Sequence, residues 1–133
     1  MTRTYTGSCH CKAVRFEADL DLAAGTTRCN CTLCTKTRNW SQIISPDHFR
    51  LLTPEDALAD YTPGPHMHQL FCRHCGVRSF ARGYLEQIGG DFVSVQVASL
   101  DDASPEELLS GPIKYCDGRA NNWWNAPAEV RHL

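Results

Sequence analysis

The chain has 133 residues, 42% of them hydrophobic, and a formal net charge of −2. That length suits one domain over 1–133 with a packed core, and the charge speaks against general nucleic-acid binding, which rests on neutralising phosphates. No stretch is long and apolar enough to span a membrane, and the opening MTRTYTGSCHCK lacks the apolar run of a secretory signal, so the expected compartment is the cytoplasm.

In chain order, Cys9-His10-Cys11 comes first, a close pair of thiols. Val14, Phe16 and Ala18 then alternate with Arg15 and Glu17, the pattern of a half-buried strand. Asp19 to Thr27 reads as a loop. Cys29-Asn30-Cys31-Thr32-Leu33-Cys34 follows, with Lys36, Arg38 and Trp40 just beyond it. Ser41 to Ser45 is a short strand-like run, and Ser45-Pro46-Asp47-His48 a small helical turn. Phe49 to Leu52 and Leu58 to Thr62 read as further strands, and Gly64 between two prolines as a turn. Met67 to Phe71 leads into Cys72-Arg73-His74-Cys75, and Val77 to Arg82 leads out. Residues 72–76 therefore predict the knuckle of a hairpin, with Gly76 free to take positive φ. Gly89-Gly90-Asp91 is a turn before Val93, Val95 and Val97, the clearest strand. Ser104-Pro105-Glu106-Glu107 is a capping box with proline at the first helical position. Leu108 and Leu109 give that helix an apolar face, and Gly111-Pro112 stops it. The fold class is mostly β, with one or two short helices.

The three clusters hold seven of the eight cysteines, and Cys116 stands alone. Zinc sites are built from closely spaced thiolates, because a tight turn can aim two sulfurs at one ion. Two clusters of two make a closed four-thiolate site. The cluster of three leaves one coordination position vacant, the layout of catalytic zinc. Two zincs per chain follow, one structural and one reactive. Disulfides are the first alternative, but a reducing compartment disfavours them and neighbours in Cys-x-Cys are poorly placed to bridge. A redox pair at Cys31/Cys34 or Cys72/Cys75 lacks its usual βαβ setting. Iron–sulfur ligation lacks its usual spacings. Three thiolates and one Zn²⁺ sum to −1, and four thiolates to −2. Lys12, Lys36, Arg38 and Arg73 stand close in sequence and either offset that charge or serve a ligand.

Read together, G-S-C-H-C, C-N-C-T-L-C, C-R-H-C-G and D-G-R-A-N-N-W at Asp117 to Trp123 resemble the glutathione-dependent formaldehyde-activating enzyme family, which also includes centromere protein V. The resemblance runs from about Thr6 to Trp124. It implies a β-tent fold of small sheets gathered around zinc knuckles. It also implies that Cys9, Cys11, Cys72 and Cys75 hold the structural zinc, and Cys29, Cys31 and Cys34 the catalytic one. The activity it implies is addition of formaldehyde to glutathione, a carbon–sulfur lyase reaction when reversed.

The residues themselves support thiol chemistry. Zinc would deprotonate an arriving thiol or polarise an aldehyde carbonyl, and being redox-inert it suits addition and elimination rather than hydride transfer. No acid–base residue stands out: His10 and His74 sit inside the knuckles, His66 and His68 read as a surface pair, and His48 is open. Trp40 reads as a roof over the reactive cluster. Arg119 either binds a carboxylate of a glutathione-like thiol or belongs to a turn held by Asp117 and the asparagines. Trp123 and Trp124 read as core or pocket wall. The competing functions are a non-catalytic zinc-binding interaction module and a thiol or metal sensor. A purely structural domain has no need of an open coordination position, which favours the enzyme. Oligomeric state is not encoded in any of these features.

Overall fold

A computed structural model describes all 133 residues. It is mostly β, with ten strands and two short helices. The strands are β1 (Arg3–Ser8), β2 (Arg15–Leu20), β3 (Thr26–Cys29), β4 (Ser41–Ile44), β5 (Phe49–Leu51), β6 (Leu58–Gly64), β7 (Met67–Cys72), β8 (Arg78–Leu85), β9 (Gly90–Gln96) and β10 (Ile113–Cys116). The helices are α1 (Thr32–Thr37) and α2 (Pro105–Leu108). No helix is long and apolar enough to cross a membrane.

Two sheets carry the architecture. The smaller has the order β1-β2-β5, and the larger β10-β3-β4-β9-β8-β7-β6. Pairing is antiparallel except for β10 with β3, which run parallel and set Cys116 opposite Cys29. Alternation puts Phe16, Ala18 and Leu20 of β2 on one buried face. They meet Phe80, Val93 and Val95 of the larger sheet. Phe16, Phe49 and Phe80 form the centre, with ring centroids 4.5 Å apart for Phe49–Phe80 and 5.3 Å for Phe16–Phe49. Offset contacts of this kind add to the burial of the rings themselves.

Several expectations hold. Val93, Val95 and Val97 are all buried. The Ser104 capping box forms in both directions, with the Glu107 N–H donating to Ser104 Oγ at 3.1 Å and the Ser104 N–H to Glu107 Oε1 at 3.2 Å. Gly76 takes φ +79°, and the hairpin β7–β8 turns around the third cluster as its spacing predicts. Others need correction. Asp19 to Thr27 is not one loop: β2 runs on to Leu20, β3 starts at Thr26, and Leu22 between them is buried. Its apolar positions continue the strand and anchor the turn, which polar neighbours mask in sequence. Only Leu108 of α2 packs on the core; Leu109 is 77% exposed. Trp123 and Trp124 are not core residues, at 45% and 60% exposure.

Candidate metal centres and thiol site

The first cluster lies between β1 and β2, and the third between β7 and β8. Packing the small sheet on the large one brings the two knuckles together. The sulfurs of Cys9, Cys11, Cys72 and Cys75 all lie within 4.8 Å of one another. Cys9 and Cys11 Sγ are 3.8 Å apart, and Cys11 and Cys72 Sγ 3.6 Å. Tetrahedral thiolates at the usual Zn–S length sit about 3.8 Å apart, so the spacing fits such an ion. All eight cysteines are free thiols, not disulfides. Backbone amides point at these sulfurs: the Val14 N–H donates to Cys9 Sγ at 3.3 Å and the His74 N–H to Cys72 Sγ at 3.3 Å. Such donors favour the thiolate. N–H groups of Val77 and Cys11 accordingly bring Cys75 down to about 6. The turn after Cys11 needs a left-handed residue, which Lys12 supplies at φ +71°. Its Nζ is tied back to Ser8 Oγ at 3.0 Å.

The sulfurs of Cys29, Cys31 and Cys34 form a second group, again within 4.8 Å of one another. Cys29 ends β3, and Cys31 caps α1 in the place usually taken by Ser or Asp. The Cys31 N–H donates to Cys29 Sγ at 3.3 Å, and the Cys34 N–H to Cys31 Sγ at 3.4 Å. Hydrogen bonds from the Cys29 and Cys34 thiols pull Cys31 far below the usual thiol range. The same sharing pushes Cys29 and Cys34 up. These three donors also suit a soft metal.

A narrow cleft of about 10 Å³ adjoins the three-cysteine group, lined by Arg28, Cys29, Cys34, Thr35, Arg38 and Asn39, with Leu133 at its edge; that is room for about one water. Thr35 Oγ1 is buried there without a hydrogen-bond partner. A larger groove of about 460 Å³ lies elsewhere, lined by Asp19, Asp21, Gln42, Ser45 and His48 among others. It has no thiol, and its main acid, Asp19, is already held by Arg50 at 2.9 Å. Size alone does not make it the site.

The residues singled out in sequence fall as follows. Arg38 lines the cleft at φ +55°, and its Nη1 donates to the His132 carbonyl at 2.7 Å. Lys36 is exposed in the last turn of α1. Trp40 is packed against the core, with its indole N–H donating to Thr26 Oγ1 at 2.8 Å and the Arg28 guanidinium 4.9 Å from its ring centre. It supports the cleft through Arg28 and does not line it. Arg119 grips Asn30 inside the cluster, with its N–H on Asn30 Oδ1 at 2.9 Å and its Nε on the Asn30 carbonyl at 3.0 Å. Asp117 Oδ1 accepts from Asn30 Nδ2 at 2.9 Å. The turn at 117–122 is therefore real, and it braces the cysteine loop. His10, His66, His68 and His74 are exposed, and none lines the cleft. His48 faces Asp19 at 3.3 Å in the other groove.

Sequence reading missed Arg28, Thr35 and Asn39. Arg28 stands next to Cys29, and that adjacency was the available signal. It also missed Gly118. A Cβ there would lie 2.5 Å from a Trp123 ring carbon and 2.7 Å from Cys29 Sγ. Only glycine fits between that indole and the sulfur as they stand.

A crystal structure of a Rhodobacter sphaeroides protein is similar, at TM-score 0.66 and 26% identity over 82% of this chain and 99% of that one. The family model of the glutathione-dependent formaldehyde-activating enzyme matches residues 4–115, a span that takes in both cysteine groups, and the chain belongs to that family.

Proposed function

We propose that this chain is a zinc-dependent enzyme of the carbon–sulfur lyase type, joining a small acidic thiol such as glutathione to an aldehyde such as formaldehyde and releasing it in reverse. Residues 1–133 act as one zinc-binding domain on this reading. Two zincs are held, one by Cys9, Cys11, Cys72 and Cys75, the other by Cys29, Cys31 and Cys34. The single observation that carries the reading is the second group: three converging sulfurs, one fewer than a closed site needs, beside a cleft flanked by two arginines. Zinc bound there would acidify a thiol and polarise a carbonyl.

The chain's own groups supply the rest. Arg28 and Arg38 offer guanidinium forks to the carboxylates of the thiol. Trp40 holds the Arg28 fork in place by stacking. Thr35 Oγ1 has a free hydrogen-bonding capacity at the cleft wall. The reaction balances without an oxidant: the C–S bond forms, and the thiol proton ends on the former carbonyl oxygen. Eight free thiols suit a reducing compartment such as the cytoplasm.

The test is exchange NMR on ¹³C-formaldehyde and glutathione at equilibrium. The zinc-loaded protein should speed exchange between free aldehyde and S-hydroxymethyl adduct, and Cys31→Ser should abolish the gain. Unchanged exchange with both metals in place would sink the enzyme and leave a binding module.

A further inference from the structure

Arg78 ties the two cysteine groups together. It opens β8, just after the knuckle that carries Cys72 and Cys75. Its Nη1 donates to Gln69 Oε1 at 2.6 Å, on β7 of the same hairpin. Its Nη2 donates across to Thr37 Oγ1 at 2.9 Å and Asn39 Oδ1 at 3.2 Å. Thr37 ends α1, the helix that Cys31 caps and that contains Cys34. Thr37 Oγ1 in turn donates to the Leu33 carbonyl at 2.7 Å, and the Asn39 N–H to the Cys34 carbonyl at 2.9 Å. Gln96 of β9 closes the network. Its Nε2 donates to Asn39 Oδ1, and its Oε1 accepts the Trp40 N–H at 3.2 Å.

All three partners of the guanidinium are neutral oxygens, although the side chain is partly buried. A buried cation needs a counter-charge. Burial lowers the Arg78 pKa, and negative charge on the nearby cysteine group opposes that fall. Three thiolates around a divalent ion carry one net negative charge, which one arginine offsets.

We infer that Arg78 is the positioning residue of the three-cysteine centre: it clamps α1 to the hairpin bearing Cys72 and Cys75 and supplies the fixed charge that balances a loaded three-thiolate site. The inference rests on reading that group as a metal centre. The hairpin that bears Cys72 and Cys75 then sets the geometry of the three-cysteine site, although the two groups share no ligand. Lysine would keep the charge and lose the fork that reaches two elements at once.

The experiment compares native protein, Arg78→Lys, Arg78→Met and Thr37→Val. Zinc affinity at each site is read by chelator competition, and the thiolate-to-metal absorption band after cobalt substitution. Arg78→Met should weaken the three-cysteine site about 10–100-fold, as loss of outer-shell partners does, and alter its cobalt band, with the four-cysteine site unchanged. Arg78→Lys should restore part of that loss. Thr37→Val, which leaves the charge in place, should cost a smaller several-fold loss, and it carries the test if Arg78→Met fails to fold. Native affinity and cobalt band at the three-cysteine site in Arg78→Met, or in Thr37→Val should Arg78→Met not fold, would overturn the inference alone. So would equal weakening of both sites. A native protein that takes no metal on Cys29, Cys31 and Cys34 would overturn the reading of the site, and the inference with it.

Discussion

Arg119 holds Asn30 at two points, through its backbone N–H at 2.9 Å and its Nε at 3.0 Å. Asn30 sits between Cys29 and Cys31, so this grip fixes the spacing of two candidate ligands from the far end of the chain. Cutting it should loosen the loop. Arg119→Ala removes the Nε contact and keeps the backbone one, so it should weaken zinc at the three-cysteine site several-fold, up to about tenfold. Chelator competition measures it. Unchanged zinc affinity with a raised KM for the thiol would instead make Arg119 a contact for the substrate.

The two metal centres should differ in what they hold up. Cys9 and Cys11 belong to the small sheet, and Cys72 and Cys75 to the large one, so one ion would staple the sheets together. Cys72→Ala should unfold or aggregate the domain, since metal-binding free energy there is folding free energy. Cys29, Cys31 and Cys34 span only the end of β3 and the start of α1. Cys31→Ala should leave the thermal midpoint near the native value. Equal destabilisation of the two variants in thermal unfolding would refute the division.

Gly118 is tightly packed beside the three-cysteine cluster. Its missing side chain leaves room for the Trp123 ring on one side and Cys29 Sγ on the other. Gly118→Ala overlaps both, so both must give way or the Gly118 backbone must move, at about 1–3 kcal/mol for an overpacked site. The expected result is partial loss of the second zinc, with the first retained, and a shift in tryptophan fluorescence. Full occupancy of both metals with native fluorescence would show that the indole yields freely.

Much of this was legible in the chain, and the gaps have physical causes. The cysteine clusters announced themselves because ligation needs short spacings, and β9 because Val93, Val95 and Val97 alternate without interruption. Helix α1 was hidden. Thr32, Thr35 and Thr37 are poor helix formers, no apolar stripe marks it, and a cysteine caps it. Strand β3 was hidden by its polar composition, and its burial comes from parallel pairing with β10, far along the chain. Arg28 had its adjacency to Cys29 as a signal, but nothing local pointed to Arg78. Arg78 meets Thr37 and Asn39 only because the fold brings them near it. Trp40 shows the opposite case: closeness in sequence to the cluster did not place its ring in the cleft.

Glu107 should make stability depend on acid in a definite direction. Arg3 donates to it at 2.9 Å and Tyr5 at 2.6 Å, and together with the Ser104 N–H they bring it down to about 2 from an ordinary 4.5. A carboxyl depressed by folding stabilises above its ordinary value and loses that contribution as pH falls toward the folded one. Glu107→Gln should therefore lower the thermal midpoint by a few degrees at neutral pH. The gap should stay flat down to about pH 5 and narrow below the ordinary glutamate range. Metal content is read on both proteins at each pH, and the gap is compared only where it is equal, since acid also protonates the cysteine ligands. A gap that widens on acidification would contradict the assignment.

Thiol binding should release a proton. A free thiol ionises near 8.5, and ligation requires the thiolate, so about one proton should leave near neutral pH. S-methylglutathione has no such proton and should bind far more weakly to the zinc-loaded protein. Calorimetry in buffers of different ionisation enthalpy counts the protons. The carboxylates of the ligand add a second handle through Arg28 and Arg38. Arg38→Ala should weaken glutathione by about 1–2 kcal/mol, the scale of a lost charge-assisted contact, and leave binding of the uncharged 2-mercaptoethanol unchanged. The proton count should be the same in that variant, because it belongs to the sulfur and not to the arginine. Tight, proton-neutral binding of both glutathione and its S-methyl derivative would move the peptide to a pocket away from Cys29, Cys31 and Cys34.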